Sequence, residues 1–221
     1  MRPERVYDGG DDAGTGQPSL AHTWGSDPYL QSDTSLSDRL LRLVWGIAYL
    51  LFFRFTPRPF HAWRSLVLRI FGAKLGRRCA IYPGANIWAP WNLECEDVVT
   101  IADDAILYNP QPIRLGSHAI VSQQAYLCGA SHDCDDYAFP RVEGPIAVGR
   151  YAWICARATV MLNVTVGEGA VLALGSVATS DLEPWTVYAG LPARKVRDRR
   201  RTSYRSATNG SIVNTPREHH R

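Results

Sequence analysis

What this chain lacks narrows the field first. No apolar run is long enough to cross a bilayer: the candidate near the amino terminus, Leu43 to Phe53, has 11 residues, against roughly 20 for a spanning helix. The five cysteines, Cys79, Cys95, Cys128, Cys134 and Cys155, form no Cys-x-x-Cys pair. They read as single small hydrophobes in a reducing compartment, not as disulfides or a zinc knuckle. No secretory signal opens the chain; "MRPERVYDGGDDAGTGQPS" is polar, Gly-rich and acidic. It is expected to be disordered, and cytoplasmic residence is expected with it.

Charge is unevenly placed. The formal net charge is +3, yet residues 194–221 hold nine Lys/Arg against two acidic residues. The remainder therefore carries a net of −4. The basic tail "RKVRDRRRTSYR" is accompanied by no recognised nucleic-acid module, so a solvated, disordered end at 199–221 is expected and no nucleic-acid partner.

Ordered structure is expected from Ser35. "SLSD" offers a capping-box-like start, and Leu36, Leu40, Leu43, Ile47 and Leu51 then recur at helical spacing. Thr56-Pro57 ends this helix. A second runs from about Pro59 to Phe71 and stops at Gly72. Between Arg54 and Arg78 stand seven basic residues and no acidic one. Two readings follow for the segment 35–78: the helices cover one end of the domain, or they form an interfacial membrane anchor, with Trp45, Phe52, Phe53 and Trp63 beside cationic flanks.

From Leu75 the period becomes six. Leu75, Ile81 and Ile87 are followed by Cys95, Ile101 and Leu107, then by Leu115, Val121 and Leu127. After a break come Val148, Ile154, Val160, Val166, Leu172 and Ala178; thirteen of these fifteen residues are Ile, Leu or Val. Four residues after each, Ala, Ser, Cys or Val recurs at 12 of 15 sites, Ser131 among them. A large and a small apolar position per six residues describe a short strand plus a corner. Three such units close a triangular coil, and about five coils stack at a parallel-sheet spacing of about 4.8 Å. The steps from Ile87 to Cys95 and from Leu107 to Leu115 are eight residues, which implies extra residues at one repeated corner. An all-β parallel β-helix over 75–198 follows, with a loop at 133–147, preceded by a helical segment at 35–74 and an extension at 1–34.

This pattern resembles the hexapeptide-repeat, left-handed β-helix acyltransferases, and among them the exopolysaccharide (colanic-acid-type) and nodulation-factor O-acetyltransferases. The resemblance runs from about residue 35 to 198. It rests on the helical "FTPRPFHAWRSLVLRIFGAKLG", on "QQAYLCGASHD", on "VGRYAWICARATVMLNVTVGEGAVLALGSV" and on the closing "PWTVYAGLPARKV". The left hand is taken from that family, because periodicity does not reveal it. The resemblance implies an acetyl-CoA-dependent O-acetyltransferase acting on a saccharide acceptor, a homotrimer with sites between subunits, and His132 as general base. Histidine suits that task, since its ordinary pKa lies close to cellular pH. Asp133 or Glu143 would orient the imidazole; both residues also fit solvated loop acids.

Asn109 matches a polar position near the acceptor, or else is a turn-former beside Pro110. Trp153 matches a cofactor-contacting tryptophan, with corner packing as its other reading. The resemblance assigns further acetyl-CoA contacts to the main chain of Ala156, Ala173 and Gly175. It assigns the closing turn to Gly190 and Pro192, and phosphate contacts to Arg194 and Lys195. The chain departs from the family where hexads carry Gly after the apolar residue: it has Ala102, Ser122, Cys155 and Met161. Carbonic anhydrases share the fold, but their zinc needs three convergent histidines. The repeats offer only His118 and His132, so no metal is expected. The other readings are an acetyltransferase for an amino acid or a nucleotide-sugar amine, and a non-catalytic β-helix scaffold.

Overall fold

The structure, a computed structural model, describes residues 36–136 and 139–200. Ser35 of the expected capping box, and the expectations for 1–34 and 201–221, lie outside them.

Three parallel sheets form the faces of a prism. The first face stacks Lys74–Leu75, Leu93–Cys95, Ile113–Leu115, Ile146–Val148 and Thr165–Val166. On the second lie Ala80–Ile81, Thr100–Ile101, Ile120–Val121, Trp153–Ile154, Val171–Leu172 and Thr186–Gly190, closed by the antiparallel Ala193–Asp198. The third carries Asn86–Ile87, Ile106–Tyr108, Tyr126–Cys128, Thr159–Met161 and Val177–Ala178. The chain visits the faces in turn, so five full coils and part of a sixth stack along one axis. The period-six residues fill the interior: Ile81, Ile101, Val121, Ile154 and Leu172 all have zero exposure. In-register pairs such as Ile101 with Val121, and Ile154 with Leu172, set like on like from coil to coil.

The corners carry a second regularity. Among the described residues, nine of ten non-glycine residues with positive φ fall three positions after an inward residue, among them Val98, Asp104, His118, Gln124, Tyr151, Arg157 and Trp185. Each costs about 1–2 kcal/mol in an ordinary chain. Here the two flanking strands are held by the coils above and below, and the conformation is imposed on whatever side chain occurs.

Small inward residues fit where the corner narrows, and eleven of the twelve are buried. Ser131 is the exception, because the chain has already left the prism: Gly129 and Ala130 are buried and Ser131 is exposed. The expected loop at 133–147 is also different in kind. Ala130–His132 pairs antiparallel with Arg141–Glu143, and Ile146 already belongs to the first face.

At the amino-terminal end, α1 spans Leu36–Ala48, continues as a π-helical turn Tyr49–Arg54, and is followed by α2, His61–Ile70. Trp45, Phe53, Val67 and Leu68 turn inward. The Trp45 indole donates to the Ile87 carbonyl at 2.8 Å. Arg64, fully buried, donates to the carbonyls of Ile81, Pro57 and Arg58 and to the Thr56 hydroxyl. Burial pushes its pKa down, and five N–H groups in one plane let a single side chain tie the helical layer to the first coil.

Candidate active site

Two edges of the prism hold the candidate residues. The edge between the third and first faces is widened in the lower coils. Its turns, 88–92, 109–112 and 129–145, lie one above another, and the last is the hairpin that carries His132.

The hairpin is fixed at its base by main-chain bonds. Gly129 N–H donates to the Tyr108 carbonyl at 2.8 Å, Gly144 N–H to the Gly129 carbonyl at 3.0 Å, and Ile146 N–H to the Pro112 carbonyl at 3.1 Å. A Cβ on Gly129 would stand 2.6 Å from the Tyr108 carbonyl oxygen, so only glycine permits this approach. Asn109 lies directly beneath, with no exposed surface. Its Oδ1 accepts the Ala89 N–H at 2.9 Å and its Nδ2 donates to the Ala89 carbonyl at 2.7 Å. Both the oxygen and the nitrogen of the amide hold one widened turn to the next.

His132 is exposed, and its ring stacks on Phe139 at 4.6 Å and 9°. Its Nδ1 lies 2.9 Å from the Phe139 carbonyl oxygen. A carbonyl can only accept, so Nδ1 carries the hydrogen, and in the neutral ring Nε2 keeps its lone pair. The expected carboxylate partner is replaced by this carbonyl. Asp133 instead accepts the Asp135 N–H at 3.0 Å, closing a turn within the loop. Glu143 pairs with Arg141 and accepts from Gln111 Nε2 at 3.0 Å. The hairpin register puts Arg141 directly across from His132, so both project from one side of the ribbon.

Reading the sequence missed Phe139, Arg141 and Gln111. The alternation of Arg141 and Glu143 with Val142 was the available signal for the second strand. The Phe139 carbonyl left none, being backbone.

The cofactor candidates gather on another edge, between the second and third faces. Ala156 occupies that corner in the fourth coil, Ala173 and Gly175 in the fifth, and the turn Gly190–Pro192 follows from the second face in the sixth. Hydrogen bonds join them axially: Gly175 N–H to the Ala156 carbonyl at 3.1 Å, and Gly190 N–H to the Ser176 hydroxyl at 3.0 Å. A Cβ on Gly175 would meet nothing within 4 Å, so the strip is open. Trp153 is 43% exposed, and its Nε1 donates to Ser122 Oγ on the same edge one coil below, at 2.9 Å.

Leu191-Pro192 is a cis peptide, and Gly190 has φ 103°. Arg194 donates only to the Ala193 carbonyl among the described contacts, at 3.2 Å. Lys195 is held by Glu183 and Asp198, each at 3.1 Å, and these two carboxylates raise its pKa. Of the two cations that the resemblance assigns to phosphate, Lys195 is thus engaged by carboxylates and Arg194 is not.

One chain thus collects the cofactor candidates on one edge and His132 on another. His118 stacks on Tyr151 at 4.8 Å along the remaining edge. Among the described residues no group of three His, Cys, Asp or Glu side chains could hold a metal ion.

Comparison with known proteins agrees with this architecture. No family model matches the chain. Over 156 residues it is 34% identical to an Escherichia coli K12 protein named "Putative colanic acid biosynthesis acetyltransferase", covering 71% of this chain and 86% of that one. It is 28% identical over 120 residues to the galactoside O-acetyltransferase of the same organism, covering 53% of this chain and 54% of that one. Among solved structures, a hexapeptide-repeat acetyltransferase of Vibrio cholerae complexed with acetyl-CoA superposes with a TM-score of 0.69 at 24% identity, over 77% of this chain and 93% of that one.

Proposed function

The chain belongs to the hexapeptide-repeat acetyltransferases, and from that premise we propose that it transfers acetyl from acetyl-CoA to a saccharide hydroxyl, with His132 as general base. The observation that carries this reading is the bond from His132 Nδ1 to the Phe139 carbonyl. It leaves Nε2 as the proton acceptor and keeps the ring fixed while it becomes charged. Acetyl-CoA supplies the activated acyl group. The acceptor hydroxyl gives its proton to Nε2 as its oxygen attacks, and the same proton is available to the departing thiolate. Direct transfer suffices: Cys128 is buried and Cys155 half-buried, and burial pushes the Cys155 pKa up, away from the thiolate a nucleophile needs, while the exposed Cys134, two residues from His132, turns its thiol to the Asp135 carboxylate and not to the imidazole.

Acetyl-CoA would lie along the open strip of Ala156, Ala173 and Gly175, against the face of Trp153, with Gly190 and Pro192 shaping the far end and Arg194 meeting phosphate. A homotrimer would bring this edge of one copy against the His132 hairpin of the next, which joins what a single chain holds apart. Asn109, Glu143 and Gln111 act as supports for that hairpin, and Asp133 for its loop. The acceptor fits exopolysaccharide or lipid-linked sugar biosynthesis, as the E. coli relative's name suggests, and the reaction would take place in the cytoplasm.

Thiol release from acetyl-CoA, measured over a panel of sugars, amino sugars and amino acids, tests this. Wild type should turn over a sugar hydroxyl, and His132→Ala should lose it. Turnover confined to amines would overturn the acceptor class, and full activity in His132→Ala would overturn the base.

A further inference from the structure

The helical layer has a second face that the prism does not use. Among the described residues, fourteen of the 24 exposed large hydrophobic side chains lie between Leu36 and Ile70. Leu51, Phe55 and Ile70 are 68%, 82% and 72% exposed, beyond what covering the end of a domain requires. A groove of about 470 Å³ opens among them, lined by Val44, Ile47, Phe52, Trp63, Val67 and Ile70.

We propose that this face docks on an anionic membrane surface, with α1 and α2 lying in its plane. Three features favour lipid over a protein partner. The polar groups within the patch are already satisfied: the Trp63 indole N–H donates to the Phe52 carbonyl at 2.7 Å, and the Thr56 hydroxyl to the Phe53 carbonyl at 2.7 Å. The rings can therefore enter an apolar medium without stranding a donor.

Charge is the second feature. Arg54 and Arg69 bracket the groove in sequence, both are exposed, and neither has a carboxylate partner among the described residues. Arg58, Lys74 and Arg77 add exposed cations beyond them, each paired with an acid of the coils. Cations around an apolar face match a surface of phosphate headgroups over acyl chains. A second copy docked through the same patch would oppose arginine to arginine.

The third feature is helix length and composition. The second helix has 10 residues, α1 with its π-helical continuation carries Asp38, Arg39, Arg42 and Arg54, and no helix among the described residues is long and apolar enough to cross a membrane. Such helices lie at the interface, their apolar side sunk to the headgroup boundary.

Flotation of the full chain with vesicles of phosphatidylglycerol and phosphatidylethanolamine, against vesicles of phosphatidylcholine, tests the proposal. Wild type should rise with the anionic vesicles and be released by high salt. The triple variant Leu51→Ser/Phe55→Ser/Ile70→Ser should lose about tenfold of the bound fraction. Arg54→Glu/Arg69→Glu should lose the preference for phosphatidylglycerol. An unchanged circular dichroism spectrum and unchanged thiol release with a soluble acceptor would show that the triple variant is folded.

Absence of flotation, or flotation unaltered by the triple variant, would overturn the proposal. So would sedimentation showing that wild type forms a lipid-free assembly through this face that the triple variant dissolves. A chain without acetyl transfer would still give a readable flotation result, so the two readings fail separately.

Discussion

The edge between the second and third faces and the edge between the third and first are built from the same strands by opposite rules. On the former, four of the five complete corners repeat one pattern: an inward Ile, Val or Leu, then a left-handed residue three positions on (Asp104, Gln124, Arg157, Gly175), then a small inward one. Side chains there are interchangeable so long as they point out, which leaves a uniform open strip suited to an extended ligand. On the latter, each lower corner is a different insertion held by its own contacts. Ala89 is bound by Asn109, Gly129 by Tyr108, and Glu143 by Gln111. Regularity leaves an open strip, the one proposed for the cofactor; irregularity holds in place the single imidazole proposed as the base.

Substitutions can test that contrast. The largest effect belongs to the aimed group: His132→Ala should lower kcat about 10²–10⁴-fold while leaving the melting temperature near that of wild type, since the ring is exposed. Steady-state thiol release and a thermal melt check both halves.

Next comes the support beneath it. Asn109→Ala leaves the buried Ala89 N–H without its partner and should cost about 2–3 kcal/mol, seen as a fall of about 5–10 °C in Tm. A melt within 1–2 °C of wild type would show that the widened edge does not rest on this amide.

On the regular edge effects should be smaller and confined to the cofactor. Trp153→Ala removes an exposed ring and should raise KM for acetyl-CoA about tenfold with kcat held, a loss of about 1.4 kcal/mol in binding. A fall in kcat instead would place Trp153 at the chemistry.

The smallest effect lies on the first face. Hydrogen bonds from Lys74 and then Arg114 hold the Glu94 carboxyl below its ordinary pKa. The stability this contributes is present above the unfolded-state pKa and is lost as pH falls through the lower folded value. Glu94→Gln should therefore differ from wild type by less than about 1 kcal/mol at neutral pH, for a pair this exposed, and match it in acid. Melts across pH 3–7 read the convergence.

These contrasts also explain what was legible in the sequence. The hexads located the prism because Ile81, Ile101 and Val121 must be apolar to fill it, and burial follows residue type directly. The left-handed corners were invisible, since Val98, Tyr151 and Trp185 are residues that avoid this conformation in isolation. Ser131 satisfied the small-residue rule and still left the prism, because pairing of Ala130–His132 with Arg141–Glu143 is a long-range choice that outweighs one period of six. His132 could be singled out from its position before the break, whereas its orienting partner is a carbonyl that any residue at 139 would provide. Lys195 was indistinguishable from Arg194 until Glu183 came within reach.

The base and the cofactor strip of one active site are proposed to come from two copies of the chain. Complementation tests this most directly. One inactive partner is His132→Ala. The other is Gly175→Trp, which places bulk in the open strip at a corner position where Arg157 and Gln124 show that side chains are accepted at positive φ. Each variant alone should be inactive. Unfolded and refolded together, they should recover about a quarter of the wild-type rate, the share of shared sites in a randomly mixed cyclic trimer that draws both intact halves. A mixture as inactive as its parents, with mixed assemblies shown to have formed, would contradict the claim and place the whole site within one chain.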